Sequence, residues 1–206
     1  MSDPGDIISR GFLPYNKEAP DLQTRYAVKP FADKHKRFRP YFPSRPARVL
    51  DVGAGIGVDA RGFADLGHQV VAVEPAEAMR AVAMDAHDHA NITWIDDHLP
   101  TLEQVVARGE LFDFILASAS FMHLNPEHQQ LGMATLSALA ASGGHICMTL
   151  RHGPVPDGRT MYEISDEAAL KLASSVGLSC VLCEGKHAGE KNVPGVTWSS
   201  FVFEKI

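Results

Sequence analysis

From Ala47 onward, short apolar runs alternate with segments whose apolar residues recur at helical spacing. The pattern predicts strands over Arg48–Val52, Gln69–Val73, Ile92–Ile95, Phe112–Ala117, His145–Leu150, Leu178–Cys183 and Thr197–Phe203. It predicts helices over Val58–Leu66, Ala76–Asp88, Thr101–Arg108, Pro126–Ala141 and Asp166–Val176, the last with Asp166 as N-cap and Leu170, Leu172 and Ala173 facing inward. Alternation of this kind describes an α/β fold: a doubly wound seven-stranded sheet, mostly parallel, with helices on both faces. No helical segment separates the last two strands, which are therefore expected to form an antiparallel hairpin at one edge.

The first 46 residues are different in character. They hold Pro14, Pro20, Pro30, Pro40, Pro43 and Pro46, and a basic stretch through Arg25, Lys29, Lys34, Lys36, Arg37, Arg39 and Arg45 that runs on to Arg48. Three readings stay open: a solvated face, a lid over a site, or a surface for an anionic ligand. The division expected is residues 1–46 as a lid or cap and residues 47–206 as the main domain. The whole chain of 206 residues carries a net charge of −6, which disfavours wholesale nucleic-acid binding. No run is long and apolar enough to span a bilayer, and the N-terminus does not read as a secretion signal. Three cysteines fit a reducing cytoplasm. Cys180 and Cys183 have redox or metal spacing, but they lie in an apolar run without a second ligand pair and are expected in the core.

Chemistry concentrates in Asp51-Val52-Gly53-Ala54-Gly55-Ile56-Gly57 and in Glu74-Pro75 after the next strand. Glycines at a strand–helix corner let backbone approach a ligand, and an acid ~20 residues on accepts ribose hydroxyls. Asp51 argues against a pyrophosphate at that corner, and Asp59 adds negative charge. A nucleoside with a cationic tail is favoured instead. These motifs resemble the class I S-adenosylmethionine-dependent methyltransferases, and Thr149-Leu-Arg-His-Gly-Pro154 with Gly158-Arg159 resembles a small bacterial group of them. The resemblance runs from about Ala47 to the C-terminus and implies a Rossmann-like fold with S-adenosylmethionine as cofactor and S-adenosylhomocysteine as product.

It also implies roles. The backbone of Gly53, Ala54, Gly55, Ile56 and Gly57 would wrap the methionine part, with Asp51 on its ammonium and Glu74 on the ribose. Pro75, Ala76 and Met79 would line the adenine. Asp96 or Asp97 would accept the adenine amino group, Asp97 fitting better; a solvated turn is the alternative. Ser118 and Ala119 would lie beside the methionine end.

Methyl transfer from a sulfonium needs mainly proximity, orientation and a deprotonated acceptor. His123, after the fourth strand, is the first candidate base; its alternative is packing within the loop. Arg151 and Arg159 would clamp a carboxylate or phosphate on the acceptor, and His152 would serve as base or donor, unless this stretch only shapes a loop. Tyr15, Tyr26 and Trp198 complete the candidate acceptor site, Trp198 having core packing as its alternative. The absence of an Asn/Asp-Pro-Pro-aromatic motif and of a Pro-Cys pair after the fourth strand disfavours adenine-amino and cytosine-C5 methylation. No His, Asp and Glu cluster has metal-ligand spacing. The expected function is methyl transfer to a small, anionic metabolite, with oligomeric state open. The alternatives are a non-catalytic cofactor-binding module, an RNA or protein methyltransferase, and a nucleotide-dependent oxidoreductase, which Asp51 opposes.

Overall fold

The computed structural model describes residues 9–19, 31–188 and 193–206. Seven strands form one sheet in the order β3-β2-β1-β4-β5-β7-β6. They are β1 (Arg48–Val52), β2 (Gln69–Val73), β3 (Ile92–Ile95), β4 (Phe112–Ser118), β5 (Ala140–His152), β6 (Leu178–Ala188) and β7 (Thr197–Lys205). β1 to β5 run parallel to one another, whereas β7 pairs antiparallel with both β5 and β6. The expected edge hairpin is present, and its second strand is the one inserted next to β5. After residue 30 the helices are α1 (Phe31–Lys34), α2 (Val58–Asp65), α3 (Glu77–Ala86), α4 (Glu103–Ala107), α5 (Pro126–Leu139) and α6 (Asp166–Ser175), and residues 9–12 and 15–19 are also helical.

The central strands are buried on both faces because they are apolar at successive positions. Val49, Val70, Phe114, Leu116 and Val202 pack with Ala60 and Phe63 of α2 on one side. Their neighbours Leu50, Val71, Ile115 and Phe201 pack with Met133, Leu136, Ala169 and Ala173 of α5 and α6 on the other. The strand order reverses between β1 and β4. In such sheets the carboxyl ends of the strands flanking this switch point open a crevice for ligands.

Two expectations change. Ser165, not Asp166, is the N-cap of α6: its hydroxyl accepts from Ala168 N at 3.1 Å, and Asp166 is the first helical residue. Cys180 and Cys183 are exposed rather than in the core, because β6 is the outer strand and carries a register shift between Cys180 and Leu182; only Cys147 is buried. Tyr26 lies outside the described residues. Among the described residues no helix is long and apolar enough to cross a membrane, and no group of three or more His, Cys, Asp or Glu is placed to hold a metal.

Candidate active site

The turn after β1 is held to the end of β2: Gly53 N and Ala54 N both donate to Val73 O at 2.9 Å. Gly53 has a φ of +75°, and a Cβ there would lie 2.9 Å from the Ser120 Cβ. Gly57 closes the turn at φ +82° as the N-cap of α2, where a Cβ would meet the Trp94 ring at 2.8 Å. Glycine is thus required by both conformation and space.

Glu74 links this turn to the next helix. Its Oε2 accepts from Gly55 N and its Oε1 from Ala76 N, both at 2.8 Å. Burial pushes its pKa up, against the pull of these two N–H groups. Four acceptor positions on a carboxylate leave two for a ligand's hydroxyls. Behind it, the Arg80 guanidinium donates to Glu74 O and to Asp96 Oδ2.

Asp51 is the most strained charge in the site. It is 2% exposed, and its Oδ2 is buried without a hydrogen-bond partner among the described residues. Burial, then the negative charges of Asp59 and Glu74, push its carboxyl well above the usual range, with Lys34 opposing in part. A carboxylate so placed calls for a cation. The methionine ammonium of S-adenosylmethionine fits that orphaned oxygen, and the glycine cradle fits a ligand pressed against backbone.

Other acids are engaged differently from expectation. Asp59 accepts from Lys34 Nζ at 2.6 Å, and its other oxygen lies 2.8 Å from His35 Nε2. Burial alone would raise its carboxyl, but Lys34 and His35 outweigh burial and hold it well below the usual range. Asp59 therefore ties the segment before β1 to α2. Asp97 accepts from His98 N, Gln104 N and Val105 N at 2.8–3.0 Å. It caps α4, whose own N-cap, Leu102, has no side-chain acceptor. Asp96 is exposed and paired with Arg80. The two acids expected at the adenine thus hold protein groups. The apolar part of the expected pocket does assemble: Ile56, Ala76 and Met79 pack together, with Ala19 and Tyr15 of the N-terminal segment against them. Pro75 is half-buried beside Ala76.

A second cluster forms where residues 9–19 cross the strand ends. His123 ends the short 3-10 turn Phe121–His123. Its Nδ1 is 2.8 Å from Thr160 O, which only accepts, so Nδ1 carries the proton and Nε2 is left to accept from Tyr15 OH at 3.1 Å. Burial lowers its pKa and the nearby Arg159 charge adds to that, against the Thr160 bond. The neutral ring is a competent base. The Arg159 guanidinium lies 3.4 Å over the Tyr15 ring and donates from Nη2 to Glu18 at 2.6 Å, while its Nη1 is buried without a hydrogen-bond partner among the described residues. Beside them Ala119, at φ +57°, donates its N–H to Thr149 Oγ1 at 2.9 Å, and Ser118 Oγ lies 3.4 Å from the same hydroxyl. Ser120 Oγ is buried without a hydrogen-bond partner among the described residues.

Arg151, His152 and Arg159 do not converge. His152 Nε2 lies 2.9 Å from Ser199 Oγ and 3.4 Å from Asp166 at the start of α6. Arg151 donates to Gly153 O at 3.5 Å, and its strand partner is the half-buried Trp198. Glu18 and Thr160 are site residues that no motif marked. The signal for Glu18 was its i,i+3 spacing from Tyr15, which puts both on one helical face.

A family model described as a methyltransferase domain matches residues 22–173. The chain belongs to the class I S-adenosylmethionine-dependent methyltransferases. This methyltransferase is 33% identical over 112 residues to a ubiquinone biosynthesis O-methyltransferase of Roseobacter denitrificans, covering 54% of this chain and 44% of that one. It is 32% identical over 128 residues to an uncharacterised methyltransferase of Alkaliphilus oremlandii, covering 62% and 52%. The chain thus spans about half the length of these relatives. Its fold matches a Burkholderia thailandensis 1,6-didemethyltoxoflavin N1-methyltransferase with bound 1,6-didemethyltoxoflavin and S-adenosylhomocysteine at a TM-score of 0.73 and 20% identity, covering 100% and 91%. It also matches Synechocystis magnesium protoporphyrin IX methyltransferase at a TM-score of 0.67 and 14% identity, covering 100% and 92%. At these identities the likeness concerns the fold.

Proposed function

We propose that this methyltransferase transfers a methyl group to a small, anionic metabolite through a hydroxyl or amine deprotonated at His123. The observation that carries the reading is a pair of buried polar atoms that find no hydrogen-bond partner among the described residues, Asp51 Oδ2 and Arg159 Nη1. Asp51 would hold the cofactor's ammonium, the turn from Gly53 to Gly57 its methionine part, Glu74 its ribose, and Met79 with Ala76 the adenine. When bound, S-adenosylmethionine supplies an activated methyl group on a cationic sulfur. The chain's residues then orient the acceptor and manage one proton. His123 Nε2 receives the acceptor's proton, and Thr160 O holds the imidazole in the tautomer that allows it. Arg159 binds the acceptor's carboxylate or phosphate. Residues 9–19 form the lid, fastened by Tyr15 to His123, by Asn16 Oδ1 to Ala78 N at 2.9 Å and by Phe12 stacked on His98. The net charge of −6 favours a small substrate over RNA, and the cysteines favour a cytoplasmic protein.

The test is calorimetric titration with S-adenosylmethionine, S-adenosylhomocysteine and NAD, followed by a methyl-transfer screen of anionic metabolites and their neutral analogues. Binding of the first two ligands with turnover of anions supports the reading. Cofactor binding with turnover of neutral analogues alone removes the anion clamp.

A further inference from the structure

We propose that Glu18 is a resident competitor for the acceptor's anion, and that its displacement from Arg159 opens the 9–19 segment and uncovers His123. The inference rests on the anionic-acceptor reading above. Arg159 carries a planar fork that suits two oxygens at once. Glu18 satisfies only one prong, Nη2 at 2.6 Å, while Nη1, on a side chain 9% exposed, stays buried without a hydrogen-bond partner among the described residues. A carboxylate or phosphate that bonds both prongs binds Arg159 better than Glu18 does. Glu18, 40% exposed, is readily rehydrated when released.

Displacing Glu18 also moves Tyr15. The two sit three residues apart within one helical turn, so their side chains share a face. Tyr15 is held between the Arg159 guanidinium over its ring and the His123 Nε2 that its hydroxyl engages. While that hydroxyl is in place, the base is occupied. Withdrawal of the turn frees the Nε2 that accepts the substrate's proton. A neutral acceptor lacks the group that starts this exchange, so Glu18 acts as a specificity-determining residue without touching the reacting atoms.

The experiment uses the full chain saturated with S-adenosylhomocysteine. Benzoate is the two-oxygen anion and benzamide its neutral counterpart. Calorimetry and amide hydrogen exchange of residues 9–19 are the readouts. Benzoate, and not benzamide, is expected to raise exchange across 9–19 at least fivefold. In Glu18→Gln the segment exchanges faster without any addition, and benzoate binds at least fivefold tighter. Arg159→Gln, shown to be folded by retained S-adenosylhomocysteine binding, loses the benzoate response. Benzoate binding that depends on Arg159 while 9–19 stays protected, or an unchanged affinity in Glu18→Gln, overturns the gate and leaves the anion clamp standing. No benzoate binding by either wild type or Glu18→Gln overturns both.

Discussion

Asp51→Asn keeps the shape of a buried side chain and removes its charge. The carboxylate is 2% exposed, its Oδ2 has no hydrogen-bond partner among the described residues, and Asp59 and Glu74 add negative charge around it. Binding of the ammonium of S-adenosylhomocysteine would relieve all three penalties. A hydrogen bond to a charged group is worth about 1.5–3 kcal/mol, so the asparagine variant should bind roughly 10- to 150-fold more weakly. Without ligand the effect on stability has the opposite sign. The Asp51 pKa is raised on folding, so between its unfolded and folded values the folded chain keeps a proton that the unfolded chain has lost. The group's contribution is then fullest below the unfolded value and falls as pH rises toward the folded one. Cofactor-free wild type should lose stability across that window, and Asp51→Asn should lose less. Ligand binding should also expel the proton, which calorimetry in buffers of different ionisation enthalpy detects in wild type and not in the variant. Equal affinity in the two proteins, with the same proton release, would refute the assignment of Asp51 to the cofactor's cation.

His123→Ala should leave S-adenosylhomocysteine affinity unchanged and slow transfer about 10²- to 10⁴-fold in single-turnover assays. Because burial and Arg159 lower the His123 pKa, the acid limb of wild-type activity should lie below the ordinary histidine value and vanish in the variant. Gly53→Ala places a Cβ 2.9 Å from that of Ser120 at a φ of +75°, and should destabilise the fold by about 1–3 kcal/mol in urea titration. Asp97→Ala removes the acceptors for Gln104 N and Val105 N and should lower Tm by roughly 2–4 °C. It should leave cofactor affinity within about twofold; a loss near tenfold would restore Asp97 to the adenine site.

The strands, the helices and the glycine corner were legible in the sequence because local rules specify them. β1 and β2 match their expected limits because apolar runs ending at Gly53 and Glu74 leave little choice of boundary. The burial of Asp51 and Glu74 follows from their places at the ends of those strands. Tertiary structure decided what side chains distant in sequence do to one another. Asp59 and Asp97 looked like ligand acids, yet one meets Lys34 and His35 and the other caps a helix whose sequence lacks a cap. Cys180 and Cys183 sit in an apolar run, but sheet order puts that run on the outside. Arg151, His152 and Arg159 are close in sequence, and the chain turns Arg159 to Glu18, 141 residues away. Periodicity and spacing act over a few residues, whereas the partner of a charge is chosen by the packing that brings remote segments together.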